Sequence, residues 1–361
     1  MDIWIDLSNS PHALLFEPIV RRLRERGHTV KLTARANAQT AELARSRWPE
    51  VEVIGGESPQ NRFSKAGALA QRIAELSHWC QAHRPQIALS HNSYAQAVAA
   101  RIRRVPVVTA MDFEHQPANH LAFRLATTVL LPDALRGLNL ARQGATREKA
   151  RFYPGLKEEV YLGDFEPDVG VVERVGINRT DSTILVVTRT PPSRALYHGS
   201  ECPLFVRAVE TVAAVPNVRI VALVRHLEQR VALEQLNLEN LTVPSTAVDS
   251  RSLMYCADLV IGAGGTMTRE AALLGTPTVS VFAGRTPAVD IWLERRGLLS
   301  RLASAETLTR LARRRTALPD PVELRQRGNR LVEHFIAAAT MRPVPQAATW
   351  EGPARVEEAI V

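Results

Sequence analysis

Short apolar runs alternate along the chain with longer stretches in which apolar residues return every three or four positions. The short runs fit strands, and the longer stretches fit helices with one buried side. In the first half the pattern predicts strands at Ile3–Asp6, Thr29–Thr33, Val51–Ile54, Ile87–Ser90, Val107–Thr109 and Thr128–Leu131. Helices are predicted between them at Ala13–Arg26, Ala38–Arg47, Lys65–His83, Tyr94–Arg103, Asn119–Leu125 and Asp133–Gln143. Leu15, Ile19 and Leu23 form the stripe of the first helix, which Gly27 ends. Strict alternation of strand and helix implies a parallel, doubly wound sheet.

A second alternation follows the Gly- and Pro-bearing stretch from Pro154 to Pro167. Strands are predicted at Ile184–Val187, Val218–Leu223, Leu241–Val243, Leu259–Ile261 and Thr278–Val281. Helices fit Cys202–Ala214, His226–Leu236, Arg251–Cys256, Thr266–Leu274, Ala288–Arg296, Glu306–Arg314 and Pro321–Ala339. The fold class expected is therefore α/β, with two Rossmann-like domains whose parallel sheets face across a cleft. Their expected extents are 1–165 and 166–340, followed by a tail, 341–361, that either packs back on the N-terminal domain or frays.

Composition narrows the function classes. With 45% hydrophobic and 23% charged residues the chain is an ordinary globular protein. No apolar run approaches the ~20 residues that span a bilayer, and the strand-like opening DIWID does not fit a signal peptide, so a cytoplasmic location is expected. Cys80, Cys202 and Cys256 are isolated, odd in number and without a CxxC pair, which disfavours disulfides and zinc knuckles. The net charge of +8 comes from arginines scattered over helices; solvated faces are the default reading, and peripheral contact with an anionic membrane is the alternative. Nucleic acid is not an expected partner, because aromatics are only 5% and do not alternate with the basic residues.

Candidate chemistry sits in loops that follow strands. The run GAGGTMTREAALLGTP, Gly262 to Pro277, reads as strand, glycine turn and helix, with Gly264, Gly265 and Thr266 at the helix start. Free amides and the helix dipole suit a phosphate there. Glu270, one turn further, is placed to accept hydrogen bonds from two ribose hydroxyls. Glycines chosen only for close packing are the bland alternative. Arg189 and Arg194 flank a Pro191-Pro192 turn and suit pyrophosphate oxygens, with Arg285 a weaker case. Solvated charge explains them equally well. Ser8, Asn9 and Ser10 suit a helix cap or a substrate contact. His12, at a helix start, suits a neutral hydrogen-bonding or base role. Asp112, Glu114 and His115, with His120 further on, offer a general base with an orienting partner, against a salt-bridged surface loop. No metal site is expected, since no HExxH or Cys/His cluster is present.

These segments together carry a resemblance. The opening IDLSNSPHALLFEPIVRRLRERGH, the LSHNSYAQAVAA and DFEH loops, YPGLKEEVYLGDFEPD and GAGGTMTREAALLGTP are similar to the domain-of-unknown-function 354 family, over about Met1 to Thr340. That family resembles GT-B glycosyltransferases and the non-hydrolysing UDP-N-acetylglucosamine 2-epimerases. The resemblance implies that Gly264, Gly265 and Thr266 hold a donor diphosphate and Glu270 its ribose. The interval from Gly265 to Glu270 is similar to that of the MurG type of N-acetylglucosaminyltransferase. His12 to Pro18 has instead the spacing of an epimerase Glu-to-Pro segment, and Glu114 falls where the epimerases keep a catalytic Glu. Against epimerase chemistry, His91-Asn92 and Arg189 stand where that family needs an acid and a His.

The expected function is thus a metal-independent glycosyltransferase with no cofactor and a UDP-linked nucleotide-sugar donor. The donor lies on the second domain, contacted by Arg189, Gly264, Gly265, Thr266, Glu270 and Arg285. An acceptor of unspecified identity lies on the first, contacted by Asn9, Ser10, His91 and Asn92, with Glu114, His12 and Asp112 as catalytic candidates. A sugar-nucleotide 2-epimerase is the alternative enzyme, and a non-catalytic nucleotide-sugar-binding protein the alternative of another class.

Overall fold

The structure, a computed structural model, describes residues 1–37, 39–56, 62–191, 203–246, 248–311 and 320–342. The described residues divide into two compact units, the first Met1–Asp164 with Val322–Arg342, the second Phe165–Pro321.

Unit 1 contains β1 (Asp2–Leu7), α1 (Pro11–Glu25), β2 (Thr29–Ala34), α2 (Thr40–Arg47), β3 (Glu52–Val53), α3 (Arg62–His83), β4 (Ile87–His91), α4 (Tyr94–Ile102), β5 (Val107–Ala110), α5 (Asn119–Leu125), β6 (Thr128–Pro132), β7 (Ala150–Tyr153) and α6 (Glu158–Leu162). Its seven strands run in the order β3-β2-β1-β4-β5-β6-β7, and all pairings are parallel. The chain winds outward from β1 to β3 and then returns to β4 beside β1, so the topological switch lies between β1 and β4. Such switches open a crevice at the carboxyl ends of the two strands. The loop after β1 leads directly to His12 in the first turn of α1, and the loop after β4 begins with Asn92.

Unit 2 contains α7 (Val171–Arg174), β8 (Ile184–Arg189), α8 (Pro203–Ala213), β9 (Val218–Leu223), α9 (Leu227–Glu234), β10 (Leu241–Thr242), α10 (Ser250–Cys256), β11 (Leu259–Gly262), α11 (Thr266–Leu273), β12 (Thr278–Ser280), α12 (Ala288–Glu294) and β13 (Ser300–Arg301). The order β10-β9-β8-β11-β12-β13, again parallel, puts its switch between β8 and β11. Alternate residues of β8 feed two cores. Ile184 and Val186 pack with Phe205 and Val209 of α8, while Leu185 and Val187 pack with Val171, Val172 and Leu253. A strand covered on both faces has to be apolar throughout, which is why ILVV reads as an unbroken run.

Both sheets are Rossmann-like, as expected, but several elements differ from the sequence pattern. The last helix, α13 (Pro321–Ala339), was assigned by sequence order to 166–340, yet it groups with unit 1. Its apolar side meets β7, with the Phe335 ring 5.6 Å from that of Tyr153, and Gly328 leaves so little room that a Cβ there would lie 2.8 Å from the Glu159 carbonyl. Periodicity identifies a buried side without saying which sheet it faces. The single helix expected over Asp133–Gln143 is two 3₁₀ turns, Asp133–Leu135 and Leu140–Gln143, separated by a segment containing Gly137. Strands β7 and β13 were not anticipated; β13 is two exposed residues with no apolar signal. The helix expected at Glu306–Arg314 is a 3₁₀ turn, Ala305–Thr309, in its described part. The tail beyond Arg342 lies outside the described residues.

Candidate functional site

At the end of β1 the chain passes through Ser8, Asn9 and Ser10 into α1, where Pro11 takes the first helical position that proline favours. His12 follows and is buried; its Nδ1 accepts the Ser8 amide at 3.3 Å. Burial first, then the neighbouring charges of His91 and Lys157, hold His12 well below the usual imidazole range, with Asp112 opposing them. The ring is therefore neutral, with its proton on Nε2. Asn9 is exposed and its Oδ1 accepts from Asn37 Nδ2 at 3.4 Å, while Ser10 Oγ lies 3.4 Å from Thr40 Oγ1.

His91, the last residue of β4, stands with its ring 5.2 Å from that of His12. Its Nε2 approaches Asp112 Oδ1 at 3.4 Å, a close electrostatic contact without the alignment of a full hydrogen bond. Asp112 Oδ2 accepts from Lys157 Nζ, and Lys157 also donates to Glu158 Oε1 at 2.6 Å. All four side chains are nearly inaccessible. Glu114 has a different partner, with Oε1 3.4 Å from His115 Nε2. His120 is exposed on α5 beside Arg124.

A polar frame fixes this loop. Asn92, in the left-handed region at φ 54°, donates through Nδ2 to Asn119 Oδ1 at 3.1 Å. Asn119 Nδ2 donates to the Phe113 carbonyl at 3.0 Å, and Gln143 Nε2 to the Glu114 carbonyl at 2.8 Å. Below it Asp6, wholly buried, accepts from Thr33 Oγ1, Ser93 Oγ and Arg72 Nη2. Sequence reasoning missed Lys157, Glu158, Asn119, Gln143 and the Asp6–Arg72 pair. The one available signal for Lys157 was three charged residues, Lys157 to Glu159, set between Leu156 and Val160-Tyr161-Leu162 directly after a Pro-Gly turn.

In unit 2 the switch point is built from backbone. Gly262, the last residue of β11, has to be glycine, because a Cβ there would fall 2.1 Å from Thr268 Oγ1. Gly264 and Gly265 take φ of 80° and 82°, a conformation that favours glycine, and Gly265 starts α11 without a side-chain cap. A Cβ at Gly265 would meet nothing within 4 Å among the described residues, whereas one at Gly264 would lie 3.1 Å from the Phe282 ring. Thr266 is half-buried and Glu270, one turn on, is buried. Arg269 ties the helix to α12 through Asp290 at 2.8 Å.

Arg189 ends β8, next to β11 in the sheet, and its Nη1 lies 3.1 Å from Met267 Sδ in the first turn of α11. Burial, with the repelling charge of Arg225, pushes Arg189 down to about 10, while Glu270 pulls the other way. Sequence reasoning overlooked Arg225, two residues past β9. Arg285 is exposed after β12, and Arg194 lies outside the described residues.

Solved structures share this architecture. The protein is similar to a UDP-bound S. aureus MnaA (TM-score 0.72, 13% identity, 97% of this chain and all of the other). It is similar to the UDP-N-acetylglucosamine 2-epimerase of Rickettsia bellii (0.70, 14%, 94% and 97%). It is also similar to the glycotransferase of kitacinnamycin (0.59, 17%, 94% and 97%). At these identities the likeness establishes the GT-B-like fold, shared by epimerases and glycosyltransferases. In sequence it is 28% identical over 302 residues to an uncharacterized protein of Methanocaldococcus jannaschii, covering 81% of this chain and 85% of that one. Residues 1–320 match the profile described as protein of unknown function DUF354, and the chain belongs to that family.

Proposed function

We propose that the protein is a glycosyltransferase that takes a sugar from a UDP-linked donor held by unit 2 and passes it to an acceptor held by unit 1. The observation that carries this reading is the open space at Gly265, where α11 starts, with Arg189 against the first turn and Glu270 one turn inside. The amides of Gly264, Gly265 and Thr266 and the Arg189 guanidinium suit the two phosphates, and they stabilise the charge that develops as the diphosphate departs. Arg285 on the next loop adds a further cation. Glu270 suits the ribose hydroxyls. The UDP in the similar MnaA structure supports a nucleoside diphosphate as ligand.

In unit 1, Asn9, Ser10, His91 and Asn92 offer polar contacts for the acceptor, and Glu114, Asp112 and His12 complete the set of titratable groups. His12 serves as a hydrogen-bond donor, because its unprotonated Nδ1 already accepts from Ser8. Epimerase chemistry remains the competing reading, favoured by the epimerases among the similar structures. Incubation with UDP-N-acetylglucosamine alone separates the two, since an epimer or free UDP formed without acceptor identifies an epimerase. Isothermal titration with UDP is expected to give saturable binding that Glu270→Ala weakens by about 1–3 kcal/mol. Absence of affinity for every nucleoside diphosphate would overturn the proposal.

A further inference from the structure

Unit 2 carries a second guanidinium that the donor contacts above leave without a role. Arg225 lies two residues beyond β9, and β9 pairs with β8 in a register that sets Arg189 opposite Leu223. Neighbouring strands run about 4.8 Å apart, so the two arginines leave adjacent strands at the same, carboxyl end of the sheet. Side by side they repel each other, and Arg189 is the one that registers it. Other guanidinium groups of unit 2 end on oxygen acceptors, Arg269 on Asp290 at 2.8 Å and Arg179 on the Cys256 carbonyl at 2.6 Å. This pair does not. Arg189 Nη1 meets the sulfur of Met267, a weak acceptor, and its Nε is buried without a hydrogen-bond partner. Arg225 is exposed, and among the described residues its guanidinium has no hydrogen bond or ion pair.

One buried amide ties the two strand ends together. Gln229, in the first turn of α9, accepts through Oε1 from Thr190 Oγ1 at 2.7 Å and from the Arg225 amide at 2.8 Å. Its Nε2 donates to the Pro191 carbonyl at 2.9 Å. Thr190 also donates its own amide to the Leu223 carbonyl at 3.2 Å. Only a carboxamide meets both demands on Gln229, since a carboxylate has no donor for Pro191 and an apolar side chain serves none of the three groups. Thr190 and Pro191 directly follow Arg189, so this one side chain fixes the backbone beside each arginine.

We infer that Arg189 and Arg225 form a two-pronged clamp for a diphosphate, one guanidinium to each phosphate, and that Gln229 is the positioning residue that holds the prongs at their spacing. The inference rests on the nucleotide-sugar reading and deepens it by naming the donor class, sugars linked through a diphosphate rather than through a single phosphate. In the strand order β9-β8-β11, Arg189 stands next to the glycine turn and against the first turn of α11, so it shares its phosphate with the amides there. Arg225, one strand further away, takes the other. A planar guanidinium grips a phosphate with two parallel hydrogen bonds, which gives each prong a full partner. A nucleoside monophosphate fills the first position alone.

The test is calorimetric titration of the full-length protein with UDP, UMP, inorganic pyrophosphate and orthophosphate at one ionic strength, because salt weakens contacts between charges. Wild type is expected to prefer UDP to UMP and pyrophosphate to orthophosphate. Arg225→Gln, at an exposed side chain, should weaken UDP and pyrophosphate about tenfold and leave UMP unchanged. Gln229→Met should show the same selective loss, and adding Arg225→Gln to it should weaken binding little further, since groups that act through one another are not additive. A Gln229→Met protein that is less stable but keeps the wild-type ratio of UDP to UMP affinity overturns the positioning role. Should Gln229→Met fail to fold, Arg225→Gln decides the matter. Equal losses for UDP and UMP in Arg225→Gln, or no loss for UDP, overturn the clamp while leaving the nucleotide-sugar reading in place. Pyrophosphate binding that depends on Arg225 in a protein without affinity for any nucleoside diphosphate keeps the clamp and removes that reading.

Discussion

At the strand ends of unit 1 the space is filled by ionisable side chains, with His12, His91, Asp112, Lys157 and Glu158 all buried, whereas at the equivalent switch of unit 2 it is lined by the backbone of Gly264 and Gly265. The two sheets have the same parallel topology and the same kind of crossover. Their difference lies in what each places at the crevice. Packed, mutually compensating charges suit holding and moving a proton, because small displacements between protonation states are strongly coupled at low dielectric. Backbone amides at a helix start with one guanidinium beside them suit holding a multivalent anion, because several fixed dipoles converge on it. The contrast between sheets of one topology is thus written in buried charged side chains on one side and in glycine backbone on the other.

The sharpest way to break this contrast is to strike the frame beneath the charged cluster. Arg72 Nη2 reaches both oxygens of Asp6 at 2.8 and 3.0 Å, and its Nε donates to the Ile54 carbonyl at 3.0 Å. Arg72→Met keeps most of the volume but leaves Asp6 without its cation in a fully buried position. Urea denaturation is expected to show a loss of about 3–5 kcal/mol. UDP affinity of the folded fraction, a property of unit 2, should stay unchanged; a parallel loss of UDP binding would mean the contrast between the units is drawn wrongly.

A smaller effect is expected at Gly265. Its φ of 82° and ψ of −169° belong to a region that is nearly closed to L side chains, although no atom obstructs a Cβ. Gly265→Ala should therefore cost about 1–3 kcal/mol through backbone strain. The methyl group would also stand over the amides assigned to the diphosphate. Calorimetry with UDP should show weakened binding together with the stability loss, and a destabilised protein with intact UDP affinity would remove these amides from the anion site.

Much of this arrangement was legible because it follows from local rules. Apolar runs such as ILVV announced buried parallel strands, and GAGG after LVI announced the glycine turn that the positive φ values of Gly264 and Gly265 require. Loops after strands led directly to His12, Asp112 and Arg189. What escaped was long-range partnership. Lys157 lay in the Gly- and Pro-bearing stretch between the two alternations, and its contact with Asp112 spans 45 positions. The Asp6–Arg72 pair spans 66, and nothing in either residue's neighbours in the sequence signals the other. The return of α13 to unit 1 was hidden for a related reason, since its stripe of Leu324, Leu331 and Phe335 fits a sheet of either unit.

Acid should discriminate between the two crevices. His12 has a folded pKa well below 6.5, so above that value both the folded and the unfolded chain carry it neutral and no stability depends on it. Below 6.5 the unfolded chain binds a proton that the folded chain refuses, and stability falls until the pH reaches the folded pKa. The limiting slope is about 1.4 kcal/mol per pH unit for one such group. Buried His334 of α13, also lowered by burial, adds a second contribution of the same sign in the same unit. The Arg189 guanidinium, at about 10, is charged throughout this range, so the anion site keeps its charge as the pH drops. Urea midpoints compared between pH 7 and pH 5 should therefore fall for wild type and fall less for His12→Asn, whose amide oxygen can still accept from the Ser8 amide. Equal slopes in the two proteins would show that His12 is not held neutral, and with that the separation of a proton-handling crevice from an anion-holding one would lose its clearest support.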